Sequence, residues 1–206
     1  MFLGVGTKKS SEKSYNICVS LKNIVGKHEW SRVIALDPAS HSLAWAIVDR
    51  EKNFIANGKI DLVKDKDQSD KFRKIKKELL LVVEEYKPDC AVIEQSVYIQ
   101  NFQTSRILSY IIGFVWGVLS DKCSTIEDVS PLVWKPAIGY KNLSKQDSAN
   151  LAKNGQKGSL QVKMKNERKQ RVREIVGVSF GLQTPNLEDD DIVDAMGISL
   201  WYWKVK

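Results

Sequence analysis

Acidic residues stand at the boundaries of three apolar segments that lie far apart along the chain. They are Asp37 after segment 33–36, Glu94 after segment 90–93, and Asp191 and Asp194 at the start of an apolar C-terminal segment. Residues three apart leave the same side of a helix, so the last two carboxylates can reach one point. If that helix crosses a sheet beside the two strands, all these carboxylates converge and repel one another. Bound divalent cations would then be required to neutralise them.

The donor set of this acidic group selects the metal. Carboxylate oxygens without histidine or cysteine favour Mg²⁺, with Mn²⁺ as a substitute, over zinc. Two such ions about 4 Å apart can activate a water and stabilise the leaving oxygen during hydrolysis of a phosphodiester. Taken singly, each acid is more readily explained as a polar strand end or as a charge that suits a helix N-terminus. Their common arrangement favours a catalytic site that holds two Mg²⁺ ions.

The spacing of apolar residues predicts the elements that hold these acids. Three strand-like segments joined by short turns indicate an antiparallel meander; they span 32–37, 43–49 and 54–60. Helices and strands then alternate: a helix at 67–86, a strand at 90–93, a helix at 103–119, a strand at 125–130 and a helix from Pro131. The order βββαβαβα predicts an α/β fold, a mixed five-stranded sheet flanked by helices.

The remaining segments carry weaker signals. Residues 1–31 are expected to form an extension of unknown role, either an extra strand or a partly ordered arm, before a main domain that spans 32–206. Segment 141–164 is polar, basic and contains glycine, which predicts a long mobile loop. Helical spacing resumes at Asn166, and the C-terminal segment predicts a helix with an acidic first turn.

Positive charge is concentrated in one part of the chain. The net charge is +7 and the isoelectric point is near 9.2, which favours a polyanionic partner without separating DNA, RNA and an acidic membrane surface. Segment 131–173 contains eleven lysines and arginines but only two acidic residues. A charged segment is often a solvated face, but a localised basic patch suits phosphate binding.

Other features bear on the compartment. The three cysteines have neither disulfide nor metal-ligand spacing, which indicates a reducing environment. The longest apolar run, 107–119, is shorter than a bilayer span and predicts a buried helix. No secretory signal is recognisable at the N-terminus. We therefore expect a cytoplasmic protein, of a bacterial or a virus-infected cell, that is neither secreted nor bound to a membrane.

Three motifs resemble those of the RuvC-type Holliday-junction resolvases, in particular the phage and poxvirus members. VIALDPASHSLAWAIVD resembles the first-strand signature of the family, IEQ followed by Asn101 and Gly113 looks like the second motif, and DDIVDAMGIS is similar to the closing helix. The resemblance spans about 32–203, with 141–164 as an apparent basic insertion. The family usually has glycine where this chain has Ala39. The resemblance implies a ribonuclease H-like fold.

Site residues are also implied by this resemblance. The four metal-binding carboxylates of the family match Asp37, Glu94, Asp191 and Asp194, with Asp37 expected to bridge two Mg²⁺ ions and Asp190 left as a spare. Lys135, in the motif VWKPAIG, matches a lysine near the scissile phosphate. The second such lysine is Lys165 if the insertion precedes it, which we favour, or Lys145 if the insertion follows.

The family's substrate implies further contacts. Val97 and Tyr98 follow the second motif, where resolvases place an apolar or aromatic wedge; Tyr98 can stack on a base or merely cover the edge of the sheet. Phosphate contacts are expected from Lys141, Lys145, Arg168 and Lys169. A four-way junction has near two-fold symmetry, so two symmetric nicks call for a homodimer, with the apolar helix 107–119 as the candidate interface.

The resemblance thus predicts a metal-dependent endodeoxyribonuclease that resolves Holliday junctions and leaves a 5′-phosphate and a 3′-hydroxyl. Two alternatives remain open at this point. One is a related nuclease that acts on other branched DNA or on structured RNA. The other is a junction-binding module without catalytic activity, in which the acids only solubilise the end of the last helix.

Overall fold

A computed structural model describes residues 31–64, 67–96, 101–153, 158–183 and 187–206. The strands in these ranges are β1 (Arg32–Pro38), β2 (Ser42–Asp49), β3 (Phe54–Asp61), β4 (Cys90–Glu94) and β5 (Thr125–Val129). The helices are α1 (Gln68–Tyr86), α2 (Phe102–Leu119), α3 (Pro131–Ala137), α4 (Lys145–Lys153), α5 (Leu160–Phe180) and α6 (Asp190–Val205). Residues 1–30 and the proposed wedge residues Val97 and Tyr98 lie outside the described ranges, so the predictions for them stay predictions.

The strands form one five-stranded sheet in the order β3-β2-β1-β4-β5. The first three strands pair antiparallel, which confirms the predicted meander, and β4 pairs parallel to both β1 and β5. The register aligns Leu36 of β1 with Ile93 of β4. The next residues along these parallel strands are Asp37 and Glu94, so both acids lie at the same edge of the sheet.

Both faces of the sheet are covered by helices. Large side chains of β1 and β2, such as Leu36 and Trp45, pack on the face that α1 and α2 cover. The opposite face carries small side chains, among them Ala35 and Ala46, and packs against α3, α5 and α6. Small residues allow a close approach, and α6 lies over β1 and β2. The α6 carboxylates are thereby brought beside the ends of the strands.

A glycine of α6 sets its distance from α3. A Cβ atom added to Gly197 would lie 2.5 Å from the ring of Trp134, which is completely buried. Any larger residue at this position would therefore push the two helices apart. Helix α3 starts as predicted at Pro131, with the Ser130 side chain accepting a hydrogen bond from the amide of Leu132 as an N-cap. This packing fixes Lys135 of α3 over the α6 carboxylates.

The prediction of a long loop over 141–164 was wrong in part. The segment contains α4, and α5 begins at Leu160 rather than at Asn166. The Oγ of Ser144 accepts a hydrogen bond of 3.1 Å from the amide of Asp147, whose carboxylate accepts one of 2.8 Å from the amide of Ser144. This reciprocal cap stabilises a helix start despite the polar composition. Arg171 of α5 pairs with Asp147 at 3.3 Å and holds α4 against α5.

Helix α2 is buried on one side only, whereas the sequence predicted a buried helix. Its inner side chains, which include Ile111 and Val115, pack on the sheet, but Tyr110 is 53% exposed and Gly113 and Gly117 face open space. By length and composition α2 is the one helix in the described ranges that could cross a bilayer. A core helix passes the same criterion, so this feature does not indicate a membrane protein.

Candidate active site

Carboxylates from three elements meet at the edge of the sheet where β1 and β4 end. Loss of hydration raises the pKa of Asp37 well above its ordinary value, and the charges of Glu94, Asp194 and Asp191 raise it further. Loss of hydration and the charge of Asp194 raise the pKa of Glu94 to about 7. Burial also raises the pKa of Asp194, although Lys135 opposes the change. If all of these carboxylates were ionised, they would carry more negative charge than their protein neighbours neutralise.

Asp191 differs from the other three carboxylates because it has two strong partners. Its Oδ2 lies 2.6 Å from Nζ of Lys59 and accepts a hydrogen bond of 3.1 Å from Oγ of Ser42. Burial alone would raise the pKa of Asp191, but the hydrogen bonds and charge of Lys59 and the hydrogen bond from Ser42 lower it below its ordinary value. This carboxylate is therefore already compensated within the protein.

Lys135, which the resemblance implies lies near the scissile phosphate, is placed beside the carboxylates. Its Nζ donates a hydrogen bond of 3.0 Å to Oδ2 of Asp194. Burial would lower the pKa of Lys135, but the charges of Asp194, Glu94 and Asp37 raise it above its ordinary value. The ammonium group is therefore held in its charged form at the mouth of the site.

Two side chains that the sequence did not reveal support the carboxylates. Nε1 of Trp134 donates a hydrogen bond of 3.1 Å to Oε2 of Glu94, and Lys59 pairs with Asp191. The one property that could have pointed to Trp134 is that a buried tryptophan needs an acceptor for its N–H group. The signal for Lys59 is strand alternation, which places it opposite the core residue Ile60, but its distance from the acids depends on the pairing of strands.

The basic residues of α5 lie in two environments. Arg168 and Lys169 line a cavity of about 390 Å³ between α3, α5 and α6, next to Lys135, Asp191 and Asp194. Lys169 also pairs with Asp190, as does Arg173. The spare carboxylate Asp190 thus fastens the first turn of α6 to α5. Lys169 reaches the cavity as an ion-paired side chain, not as a free cation.

The other basic site residues are not brought to the carboxylates. Lys141, Lys145 and Lys165 are exposed, and none of them lines the cavity. Exposure is compatible with a contact to the phosphates of a large nucleic acid. The choice between Lys145 and Lys165 as the second active-site lysine stays a prediction.

The turn after Asp37 accepts alanine in place of the family's glycine. The amide of Ala39 donates a hydrogen bond of 2.8 Å to the carbonyl of Ser42, which closes the turn. Among the described residues other than glycine, only Lys52 and Lys87 have a positive φ. The backbone at Ala39 therefore avoids the conformation that only glycine adopts readily.

The four carboxylates suit a hard divalent cation by their chemistry, since all their donors are oxygens and three of them have a raised pKa. Within the described ranges, however, no three acidic, histidine or cysteine side chains lie close enough together to hold one ion as they stand. Lys59 holds Asp191 and Lys135 holds Asp194 instead. The residues fit a metal by type, and in this structure Lys59 and Lys135 occupy one oxygen each of Asp191 and Asp194.

Comparison of the sequence with known proteins finds similar proteins that share one name. No protein-family model matches the chain. The crossover junction endodeoxyribonuclease RuvC of Rickettsia bellii is 28% identical over 125 residues, which cover 59% of this chain and 80% of that protein. The RuvC protein of Borrelia turicatae is 24% identical over 118 residues, covering 55% of this chain and 73% of that protein.

Solved structures with a similar fold include another RuvC protein and a viral resolvase. Thermus thermophilus RuvC, solved in complex with a Holliday junction substrate, has a TM-score of 0.65 at 14% identity and covers 84% of this chain and 93% of its own. The Fowlpox virus resolvase, solved with substrate Holliday junction DNA, has a TM-score of 0.50 at 16% identity and covers 84% and 97%. By sequence the chain is similar to the RuvC crossover junction endodeoxyribonucleases, and it shares its fold with a RuvC-type Holliday-junction resolvase.

Proposed function

We propose that this protein is a metal-dependent endodeoxyribonuclease that resolves four-way DNA junctions and related branched DNA. The observation that carries the proposal is the meeting of Asp37, Glu94 and Asp194 at one edge of the sheet, where burial raises the pKa of each and the charges of neighbouring carboxylates raise it further. If these acids served only to solubilise the end of the last helix, burying them against one another would cost free energy without a benefit. The names of the relatives supply the substrate class.

Asp37, Glu94, Asp191 and Asp194 would hold two Mg²⁺ ions, with Asp37 as the shared ligand and Mn²⁺ as a substitute. When bound, such ions supply an activated water and stabilise the leaving oxygen of a phosphodiester. Trp134 orients Glu94 through its hydrogen bond. Lys135 holds Asp194 in the metal-free protein and presents a cation where negative charge grows on the phosphate. The expected products are a 5′-phosphate and a 3′-hydroxyl.

The DNA path is proposed to cross α3 and α5. Arg168 and Lys169 line the cavity beside the carboxylates and can contact the phosphates that flank the scissile bond. Lys141, Lys145 and Lys165 are exposed on the same basic part of the chain and would contact phosphates farther away. Lys165 is our choice for the second lysine of the active site.

A homodimer is proposed to form through the exposed side of α2. Tyr110, Gly113 and Gly117 lie at helical spacing on this side, and added Cβ atoms at both glycines would meet nothing within 4 Å. Small residues let two helices approach closely, and an aromatic neighbour adds contact area. A two-fold axis here would direct two active sites at opposite strands of a junction. The cytoplasm is the proposed compartment.

The direct test is cleavage of a panel of substrates with and without Mg²⁺. The panel contains a synthetic four-way junction, a replication fork, linear duplex and a structured RNA. We expect paired nicks in the junction that need Mg²⁺, and no cut in linear duplex. Preferred cleavage of the fork or the RNA would identify a related nuclease instead, and binding without cleavage in either Mg²⁺ or Mn²⁺ would identify a junction-binding module.

A further inference from the structure

Lys59 of β3 joins two acidic residues at the start of α6. Its Nζ lies 2.6 Å from Oδ2 of Asp191 and 3.0 Å from Oδ2 of Asp189. Asp189 is the N-cap of α6 and accepts hydrogen bonds from the amides of Asp191 and Ile192. The lysine side chain is 27% exposed, so it is partly shielded from water. Lys59 therefore ties the edge strand β3 to the helix that carries half of the proposed metal ligands.

The strand register places Lys59 in the same cross-strand row as Asp37. Asp37 of β1 pairs with Ala44 of β2, and Ala44 pairs with Lys59 of β3. All three side chains thus leave the same face of the sheet, and Asp37 and Lys59 stand two strand spacings apart, about 10 Å. The small side chain of Ala44 leaves the space between them open to α6. Lys59 is thereby positioned by the fold itself and not by a mobile loop.

The two lysines of the site divide the α6 carboxylates between them. Lys135 pairs with Asp194 at 3.0 Å on the side of α3, and Lys59 pairs with Asp191 on the side of β3. No three acids of the described part of the chain are close enough together for one ion in this arrangement. A divalent ion that takes Asp191 as a ligand would meet the ammonium group of Lys59 at short range and be repelled by it.

We propose that Lys59 is the resident counter-cation of Asp191, which a bound metal ion displaces, so that Lys59 sets the Mg²⁺ concentration that the site requires. The proposal rests on the proposed function, because it assumes that Asp191 is a metal ligand. In the metal-free protein Lys59 holds the Asp191 carboxylate in place. In the metal-bound protein the same ammonium group competes with the ion for it, which makes Lys59 a positioning residue.

Removal of Lys59 should therefore have opposite effects on the two states. Without metal, Asp189 and Asp191 lose their partner and the protein becomes less stable. With Mg²⁺, the competing charge is gone and the ion binds more tightly. A lysine that only braced α6 against β3 would lower stability equally in both states, and the Mg²⁺ concentration at half-saturation would not change.

The test is thermal unfolding of the full chain at increasing Mg²⁺ concentration, which reports metal binding without cleavage. In Lys59→Met and Lys59→Gln we expect the Mg²⁺ concentration at half-saturation to be at least about 5-fold lower than in the wild type. Lys59→Gln keeps a hydrogen-bond donor near Asp189, so it can replace Lys59→Met if that variant does not fold. Lys59→Arg keeps the charge and should resemble the wild type. The control Lys206→Met removes an ion pair with Glu127 that lies at the other end of α6.

The outcomes separate this inference from the function beneath it. If the Mg²⁺ concentration at half-saturation is unchanged or higher in both Lys59→Met and Lys59→Gln, the proposed role of Lys59 is wrong. In that case the proposed metal site would still stand if Mg²⁺ stabilises the wild type and Asp37→Asn abolishes this stabilisation. A wild type whose unfolding does not respond to Mg²⁺ at all overturns the metal site and, with it, the inference.

Discussion

The indole N–H of Trp134 donates a 3.1 Å hydrogen bond to Glu94, and no solvent reaches the Trp134 side chain. This contact joins α3 to the end of β4 and fixes one oxygen of a buried carboxyl group that lies among other carboxylates. Because Trp134 neighbours Lys135 in sequence, with Nζ of Lys135 lying 4.9 Å from the ring centroid, one short helix orients both a proposed ligand and the cation beside it.

Trp134→Phe should remove the hydrogen bond to Glu94 and shorten the ring that packs on Gly197. We expect the Mg²⁺ concentration needed for half-maximal cleavage to rise roughly 10-fold, the lower end of the effect of residues that orient metal ligands. The matched control is Trp203→Phe, because Nε1 of Trp203 bonds only the carbonyl of Val48, away from the acids. Equal effects of the two substitutions would show that the Trp134 hydrogen bond does not orient Glu94.

The stability of the metal-free protein should fall as the pH rises. The folded state raises the pKa of Glu94 from 4.5 to about 7, so between these values it holds a proton that the unfolded chain has lost. Stability is therefore greatest below the ordinary pKa and decreases as the pH passes through the raised value. Asp37 acts in the same direction.

The measurement is the thermal midpoint in EDTA at pH 5.5 and pH 8. Each kcal/mol of lost stability lowers the midpoint of a chain of this length by about 2 to 4 °C. In Glu94→Gln, which cannot ionise, the midpoint should fall less between the two values than in the wild type. Saturating Mg²⁺ should raise the midpoint most at pH 8. An identical pH dependence in the variant would contradict the burial of a repelled carboxylate at this position.

A charged residue on the exposed side of α2 should prevent the proposed dimer. Gly117→Arg adds a long cation where a second helix would approach, although the space around Gly117 within one chain is open. We expect sedimentation equilibrium to give a dimer for the wild type and a folded monomer for this variant, with paired nicking of the junction lost. Val178→Arg, on an 85% exposed position of α5, is the control and should stay dimeric. A dimeric Gly117→Arg would exclude this interface.

The carboxylates were predictable from the sequence because strand ends are local features. Asp37 and Glu94 each follow an apolar run, and the parallel pairing of β1 and β4 is enough to bring them to one edge. Lys135 was identified from a motif rather than from any local signal. These residues could be named as candidates without knowing how distant parts of the chain pack, whereas their convergence depends on that packing.

The supporting residues were not predictable because they depend on long-range register and packing. Lys59 reaches Asp191 only through the pairing of β1, β2 and β3, and Trp134 reaches Glu94 only because Gly197 lets α6 come close. Helix α4 was missed because its polar residues hid a reciprocal cap. Polar composition is a weak guide where side chains close a helix end themselves.

The most direct test of the account is Asp37→Asn assayed on one four-way junction for binding and for cleavage in Mg²⁺. Asparagine keeps the shape of the side chain but removes the central negative charge, so we predict junction binding within about 3-fold of the wild type and cleavage at least about 1000-fold slower. Asp121→Asn, at an exposed acid after α2, serves as the control and should cleave normally. Wild-type cleavage by Asp37→Asn would contradict a catalytic site built on these carboxylates.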